Sequence, residues 1–351
     1  MIKSRASKAE CEVNIMAWYN TSGNDFDTVL SSRVRFARNI AGYPFAPELP
    51  EKSAEKIISD VCKVYDGKDF KRIDFEKLSG PEAASYVEKH YVSPEFTAVK
   101  GPHTLLLNEG TGTAIMICEE DHVRLQSILP GLGLEDAYRT ACEYDDMLDK
   151  ELDIAYDERL GYLTHCPTNL GTGMRASVMM FLPALTMTGK INALAIQLSK
   201  IGLTVRGLFG EGTESKGNLY QISNQVTLGI SEEETLKKLG DIVAQINEQE
   251  RKLRTTLRSE NNDWLCDRIM RAEGTLKYAH MLSSSEFTEL FSDIRLGIAL
   301  GIIHDIDYMT LSSLLVEIMP ATLTLSLDKK PQTEAERDRA RAAHIKNVLN
   351  K

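Results

Sequence analysis

The stretch Thr104-Leu105-Leu106-Leu107-Asn108-Glu109-Gly110-Thr111-Gly112-Thr113-Ala114-Ile115-Met116-Ile117-Cys118 decides the fold class. Residues 104–107 and 114–118 are short runs of the apolar and β-branched side chains that suit a pleated, half-buried surface. The polar, glycine-bearing segment Asn108-Glu109-Gly110-Thr111-Gly112 between them is a hairpin signal. Residues 203–209 and the alternation Ile222, Asn224, Val226, Leu228 read as two further strands. Connections this short join antiparallel neighbours, because parallel strands need long crossovers. The expected architecture is α+β, an antiparallel sheet flanked by helices on one side rather than a doubly wound parallel sheet.

Further along, the texture changes. Ser231 and Glu234 have the spacing of a capping box. Leu236, Leu239, Ile242, Val243, Ile246, Leu253 and Leu257 then follow at helical spacing. Beyond them the pattern stays helical, including 262–282, 285–304 and 310–319. The chain therefore divides into a lead-in over 1–27, with Trp18 and Tyr19 anchoring a short helix, a main domain over 28–255, and an all-helical C-terminal domain over 256–351. The apolar faces of that last domain suit either internal packing or a homodimer interface.

Bulk properties narrow the function. The 351 residues carry a net charge of −10, with 42% hydrophobic and 26% charged residues, a composition able to bury a sizeable core. The acidic balance argues against direct nucleic-acid binding. Six scattered cysteines without CxxC or zinc spacing point to a reducing compartment and to no metal held by the protein's own side chains. No signal peptide is evident, and no uncharged apolar run approaches ~18 residues. The expected location is cytoplasmic, away from membranes.

Against this acidic background, arginines gather in motifs. Ser31-Ser32-Arg33-Val34-Arg35 follows apolar Val29-Leu30, and in a strand Arg33 and Arg35 project from one face. Two guanidinium groups side by side repel unless an anion lies between them; the alternative is a solvated strand face. Glu119-Glu120-Asp121-His122-Val123-Arg124 follows a strand end, where functional residues collect. Cys166-Pro167-Thr168-Asn169-Leu170-Gly171-Thr172-Gly173-Met174-Arg175 offers small side chains and backbone N–H groups ahead of 176–182, read here as helical; glycine-rich turns that open helices suit anions. Cys166 beside His165 raises the option of a thiol nucleophile, but among arginines it reads better as an orienting group. Arg206-Gly207-Leu208-Phe209-Gly210-Glu211 closes a strand and reads as a mobile loop with a carboxylate at its tip. Planar guanidinium groups grip phosphate oxygens two at a time, so the set reads as a polyphosphate site beside carboxylates suited to a cationic acceptor. Walker, HRD and DFG motifs are absent, which excludes eukaryotic-type protein kinases.

Taken together, SSRVR, EEDHVR, CPTNLGT, RASV and RG-x-x-GE resemble the ATP:guanidino phosphotransferases, the family of arginine and creatine kinases, in order from Ser31 to Gly229. Within it the chain looks most like the bacterial branch that phosphorylates protein arginines. It lacks the helical domain that small-molecule members carry ahead of SSRVR, and Arg337-Asp338-Arg339-Ala340-Arg341-Ala342 matches the RDxxRA motif of the bacterial members. The resemblance implies ATP and Mg²⁺, with nucleotide-binding positions at Ser31, Ser32, Arg33, Val34, Arg35, His90, Arg124, Arg175, Ala176, Ser177, Val178, Met179, Arg206, Gly207, Leu208, Phe209, Gly210 and Glu211. It implies Glu120 and Glu211 as the guanidinium-facing catalytic carboxylates and Cys166 as a substrate-orienting thiol. One departure is Cys118, where the family has asparagine. For Arg337, Asp338 and Arg341 the spacing alone describes a charged surface helix, whereas the resemblance implies a regulatory phosphoarginine site. It also implies protein substrates engaged through exposed arginines, an activator protein, a transcriptional repressor, a protease-chaperone and a stress role. Two alternatives stand beside this reading: a kinase for free arginine or another small guanidine, and a phosphoarginine-binding adaptor.

Overall fold

The computed structural model describes residues 17–208 and 215–350. Its strands are β1 (Val29–Arg38), β2 (Lys71–Asp74), β3 (Thr104–Asn108), β4 (Thr113–Ile117), β5 (Val123–Pro130), β6 (Tyr156–Asp157), β7 (Gly161–Tyr162), β8 (Met174–Phe181), β9 (Leu203–Gly207) and β10 (Leu219–Asn224). Its helices are α1 (Glu51–Val64), α2 (Gly80–Glu88), α3 (Leu134–Glu151), α4 (Pro183–Met187), α5 (Ile191–Lys200), α6 (Glu232–Glu260), α7 (Asn262–Tyr278), α8 (Ser284–Ala299), α9 (Tyr308–Glu317), α10 (Pro320–Ser326) and α11 (Glu334–Leu349).

The hairpin forms as its sequence predicts, with β3 and β4 paired from Thr104↔Ile117 to Asn108↔Thr113. It belongs to an eight-stranded sheet of order β2-β3-β4-β5-β1-β8-β10-β9 in which every neighbouring pair is antiparallel. β1 lies inside this sheet, and its only positions not fully buried are Arg33 and Arg35.

Helices cover both faces, not one. On the first face, Val34, Phe36, Leu125, Ala176, Val178 and Ile222 share a core with apolar stripes of α1, α3 and α6, including Ile57, Val61, Leu148, Leu239 and Val243. On the second, Leu30, Leu105, Leu107, Met179 and Phe181 share a core with Leu265, Phe287, Phe291, Leu311 and Ile345 of the C-terminal helices. The one-sided expectation fails because β3, β4 and β8 are apolar at both parities, so each face must be dry where they run. Part of the second face stays polar, and there the arginines lie.

Of residues 176–182, expected as helix, 176–181 are strand and Leu182 caps the short helix α4. Ala176, Val178 and Met180 enter one core while Met179 and Phe181 enter the other, which is a period of two. Trp18 and Tyr19 lie in a turn, with no helix among the described lead-in residues. Trp18 is nonetheless an anchor, donating from Nε1 to Lys89 O (2.9 Å). β10 stops at Asn224, whose amide accepts from Ala176 N (2.8 Å) and donates to Met174 O and Val226 O (3.1 Å each). Val226 and Leu228, read as strand, lie beyond it and are exposed. The capping box of Ser231 and Glu234 is present. It opens a helix that continues past residue 256 to Glu260, so the change of element comes at Asn261. Among the described residues no single helix is long and apolar enough to cross a membrane.

Candidate active site

Strand register assembles the arginines. Arg35 lies opposite Arg175 on β8 and Gln126 on β5, while Arg33 lies opposite Ser177 and Ile128. Arg124 lies opposite Ala37, two residues along the same face. Directly paired residues project to one side, with Cβ atoms about 4.5–5.5 Å apart. Arg206 joins from β9 through its pairing with Gln221, which faces Met179 of β8 and accepts from Arg33 Nη2 (3.3 Å). Three adjacent strands thus present Arg33, Arg35, Arg124 and Arg175 to one surface, with exposed Arg206 at its margin.

The electrostatics are those of a site built for an anion. The neighbouring Arg33 charge, then burial, then Arg124 and Arg175 hold Arg35 well below the ordinary guanidinium range. Burial and Arg124 bring Arg33 down to about 10. Arg175 is lowered by burial and by Arg206. Arg124 differs: burial opposes its charge, but Glu119, with Glu120 and Asp121, outweighs burial and raises it. Glu119 is almost wholly buried, ion-paired to Arg124 and bonded by Ser93 Oγ. It orients Arg124, a role that reading the motif for its exposed carboxylates missed.

Glu120 sits one residue further, in the turn between β4 and β5, with its side chain 34% exposed. Its Oε2 is 3.5 Å from Arg124 Nη1, and its Oε1 is 3.6 Å from His165 Nδ1. The turn is fixed from beneath. Asn39 donates to Asp121 Oδ1 (2.7 Å) and Leu163 O (2.9 Å) and accepts from His122 N (2.9 Å). His122 accepts from Ile40 N (2.9 Å) at Nδ1 and contacts Pro44 O (2.8 Å) through Nε2. That pattern requires a neutral ring protonated on Nε2; burial lowers its pKa in the same sense. Cys118 opens the turn at φ +64°, a left-handed conformation that asparagine tolerates better than most residues.

The segment 164–173 makes the adjoining wall. Arg175 donates to Asn169 Oδ1 (3.0 Å) and Thr168 Oγ1 (3.1 Å), and Thr168 Oγ1 is 3.1 Å from Cys166 Sγ. Thr227 ties the segment down, donating to Leu170 O (2.7 Å) and Thr168 O (3.1 Å). Gly173, at φ +63°, leaves no room for a side chain: a Cβ would lie 2.5 Å from Arg38 Nη1. Arg38, buried at the end of β1, donates to Thr172 O (3.0 Å) and Asp145 Oδ2 (2.6 Å) and lies 3.5 Å over the Tyr162 ring. Beyond one 3-10 turn at Pro167–Asn169 the segment leads into strand β8 and not into an α-helix, so the arginine donors are side chains on a sheet.

His90 adds a different surface. It follows α2 at φ +63°, stacks on Trp18 with centroids 5.1 Å apart, and Gln126 Nε2 donates to its carbonyl (2.8 Å). Burial and Arg33 lower its pKa to about 4, so at neutral pH it is a flat, uncharged ring beside cations.

Among the predicted nucleotide positions, Ser32 is buried, donating from Oγ to Gly131 O (2.8 Å), as is Val34 in the opposite core. Ala176 and Val178 also face that core, while Ser177 faces the arginines. Ser31 lies past a register shift in β1, opposite Met179. Gly207 closes β9 and Leu208 follows it in a turn, while Phe209, Gly210 and Glu211 lie outside the described residues. The RDxxRA residues lie on α11, apart from the arginine face. Arg341 is buried, donating to Ile318 O (2.9 Å) and Leu282 O (2.8 Å) and pairing with Asp338; Arg337 is half-buried. No group of three or more His, Cys, Asp or Glu side chains among the described residues is placed to hold a metal ion.

Comparison with known proteins places this geometry. The model of the ATP:guanido phosphotransferase C-terminal catalytic domain matches residues 52–253, and that of the protein-arginine kinase McsB C-terminal domain matches 262–351. The protein-arginine kinase of Halothermothrix orenii is 44% identical over 340 residues, covering 96% of this chain and 97% of that one. That of Syntrophomonas wolfei subsp. wolfei is 45% identical over 345 residues, covering 95% of each. Among solved structures, lombricine kinase aligns with a TM-score of 0.58 at 25% identity, over 68% of this chain and 70% of that one. The duplicated taurocyamine kinase from Schistosoma mansoni aligns with a TM-score of 0.59 at 24% identity, over 80% of this chain but 41% of its own. With both family models matched in sequence and relatives this similar over nearly their full length, the chain belongs to the protein-arginine kinases of the ATP:guanido phosphotransferase family.

Proposed function

We propose that this protein phosphorylates arginine side chains of other proteins, with ATP arriving as its Mg²⁺ complex and Glu120 acting as general base. The observation that carries this reading is the placement of Glu120 beside Arg124, at the rim of the four-arginine face. Arg33, Arg35, Arg124, Arg175 and Arg206 hold the triphosphate and spread the charge that develops on the moving phosphoryl group. His90, neutral and stacked on Trp18, offers its ring to the base of the nucleotide.

A guanidinium is a poor nucleophile because it is protonated and its lone pairs are delocalised. As the terminal nitrogen of the substrate arginine forms its bond to the γ-phosphorus, the bond to the β,γ-bridging oxygen breaks and ADP leaves. The proton released from the nitrogen passes to Glu120. Base assistance of this kind contributes ~10²–10⁴-fold, and positioning supplies much of the remainder. Glu211 as second carboxylate and Cys166 as orienting thiol rest on the family resemblance, as do an activator protein, a repressor and a protease-chaperone as partners, a role in marking proteins for degradation under stress, and regulation through Arg337, Asp338 and Arg341; a homodimer would rest on the apolar faces of the C-terminal helices. Scattered reduced thiols support a cytoplasmic site of action.

The test is Glu120→Gln. With Mg-ATP and an unfolded basic protein, the wild type should form acid-labile, alkali-stable phosphate on protein rather than on free arginine. The variant should lose at least a hundredfold of that turnover while binding ATP normally. Near-normal turnover in Glu120→Gln would remove the base assignment, and label on free arginine alone would favour a small-guanidine kinase.

A further inference from the structure

We propose that His165 is a positioning residue for Glu120, its imidazole standing at the Oε1 side of the carboxylate while Arg124 stands at Oε2, so that the two together aim the base. The inference rests on the reading of Glu120 as base. Its support is geometric. The His165 backbone is pinned to the same turn that carries Glu120: its N–H donates to Asp121 Oδ1 (2.8 Å), and Asn39 bridges Asp121 to the neighbouring Leu163 O. With the backbone so fixed, the imidazole is placed with Nδ1 3.6 Å from Glu120 Oε1. The Phe45 ring meets it edge-on, with centroids 5.6 Å apart, and limits its swing.

Glu120 has few other restraints. It sits in a turn, and Arg124 Nη1, 3.5 Å from Oε2, is itself clamped by Glu119. An imidazole carrying its proton on Nδ1 directs a donor towards Oε1 without cancelling the carboxylate charge. That leaves the carboxylate basic and aimed.

The experiment compares kcat and KM for ATP at pH 8 in wild type, His165→Ala and His165→Asn, with an unfolded basic protein as substrate. Asparagine keeps a donor near the Nδ1 position. Both substitutions preserve the backbone bond to Asp121, and unchanged ATP binding checks folding. At pH 8, His165→Ala should lose roughly tenfold in kcat at unchanged KM for ATP, part of the ~10²–10⁴-fold that a positioned base supplies, and His165→Asn should recover most of it. An unchanged kcat in His165→Ala overturns the proposal, as does an equal loss in His165→Asn. Glu120→Gln separates the two levels: if it abolishes turnover while His165→Ala keeps the wild-type kcat, the role of His165 fails alone. If Glu120→Gln stays active, the base assignment fails first.

Discussion

Arg35 and Arg175 stand directly opposite each other on adjacent strands, two guanidinium groups held on one face with Arg33 and Arg124 beside them. In the protein without nucleotide this arrangement opposes folding. The Arg33 charge is the largest influence holding Arg35 below its ordinary range.

Replacing Arg35 with methionine should therefore raise the melting temperature of the nucleotide-free protein, by about 1–2 °C if about 1 kcal/mol of repulsion is relieved. The same variant should lose the stabilisation that ATP gives the wild type, about 2.7 kcal/mol at a ligand concentration of 100 Kd. Thermal unfolding with and without Mg-ATP checks both halves. A variant less stable than wild type when free of nucleotide would contradict the repulsion argument.

His90 links stability to pH. Its folded pKa, about 4, lies below the ordinary value of 6.5 because burial and Arg33 disfavour the charged ring. Between these values the unfolded chain binds more protons, so stability rises with pH across this window and is lost as pH falls from about 6.5 towards 4. His90→Phe should flatten that part of the stability profile, measured by urea unfolding at pH 4.5 and 7, and should keep a ring against Trp18. An equally steep profile in the variant would place the dependence elsewhere.

Thiol labelling should separate the cysteines. Cys118 is buried, and burial pushes its thiol up to about 12; the thiolate needed for alkylation is then scarce at pH 8. Cys166 is partly exposed beside Thr168 and Arg175. Iodoacetamide followed by peptide mass spectrometry should modify Cys166 and leave Cys118 untouched. Mg-ATP should slow labelling at Cys166 but not at Cys266, which is partly exposed on α7. Equal labelling of Cys118 and Cys166 would refute the assigned burial.

The two arginines of the RDxxRA helix should behave differently. Arg341 is buried and joins α11 to the carbonyls of Ile318 and Leu282, so Arg341→Ala should destabilise the fold by about 3 kcal/mol, the cost of breaking a buried charged network. Arg337 is half-buried, and Arg337→Ala should leave the urea midpoint nearly unchanged. If Arg337 reads phosphoarginine, that variant should blunt activation by a phosphoarginine protein while ATP binding stays intact. Equal losses of stability in the two variants would rule out the division of roles.

The hairpin at 104–118 was legible because its two strands and glycine-bearing turn are consecutive in sequence. Arg33 and Arg35 were legible as a pair because strand alternation places residues i and i+2 together. Residues 176–182 were not, since a run apolar at both parities satisfies helix and strand alike, and only the second core, supplied by helices a hundred residues away, decides it. Glu119 and Arg38 were missed for a related reason. Each is a charged residue inside or beside a visible motif, but its partners, Ser93 and Asp145, are distant in sequence. The exposed member of a charged run draws attention to function, while the buried member that orients it looks the same on paper. Glu211 lies outside the described residues, and its role stands on the motif.

The core shared by Leu30, Met179, Phe181, Phe287, Phe291 and Ile345 bears on how such proteins are divided for experiment. Two family models meet near the start of α7, yet the apolar surface on either side of that junction is continuous. A fragment cut at residue 260 would bare the underside of its own sheet and should aggregate. Mixed during refolding with a fragment of 261–350, it should regain solubility, because each piece supplies the covering that the other lacks.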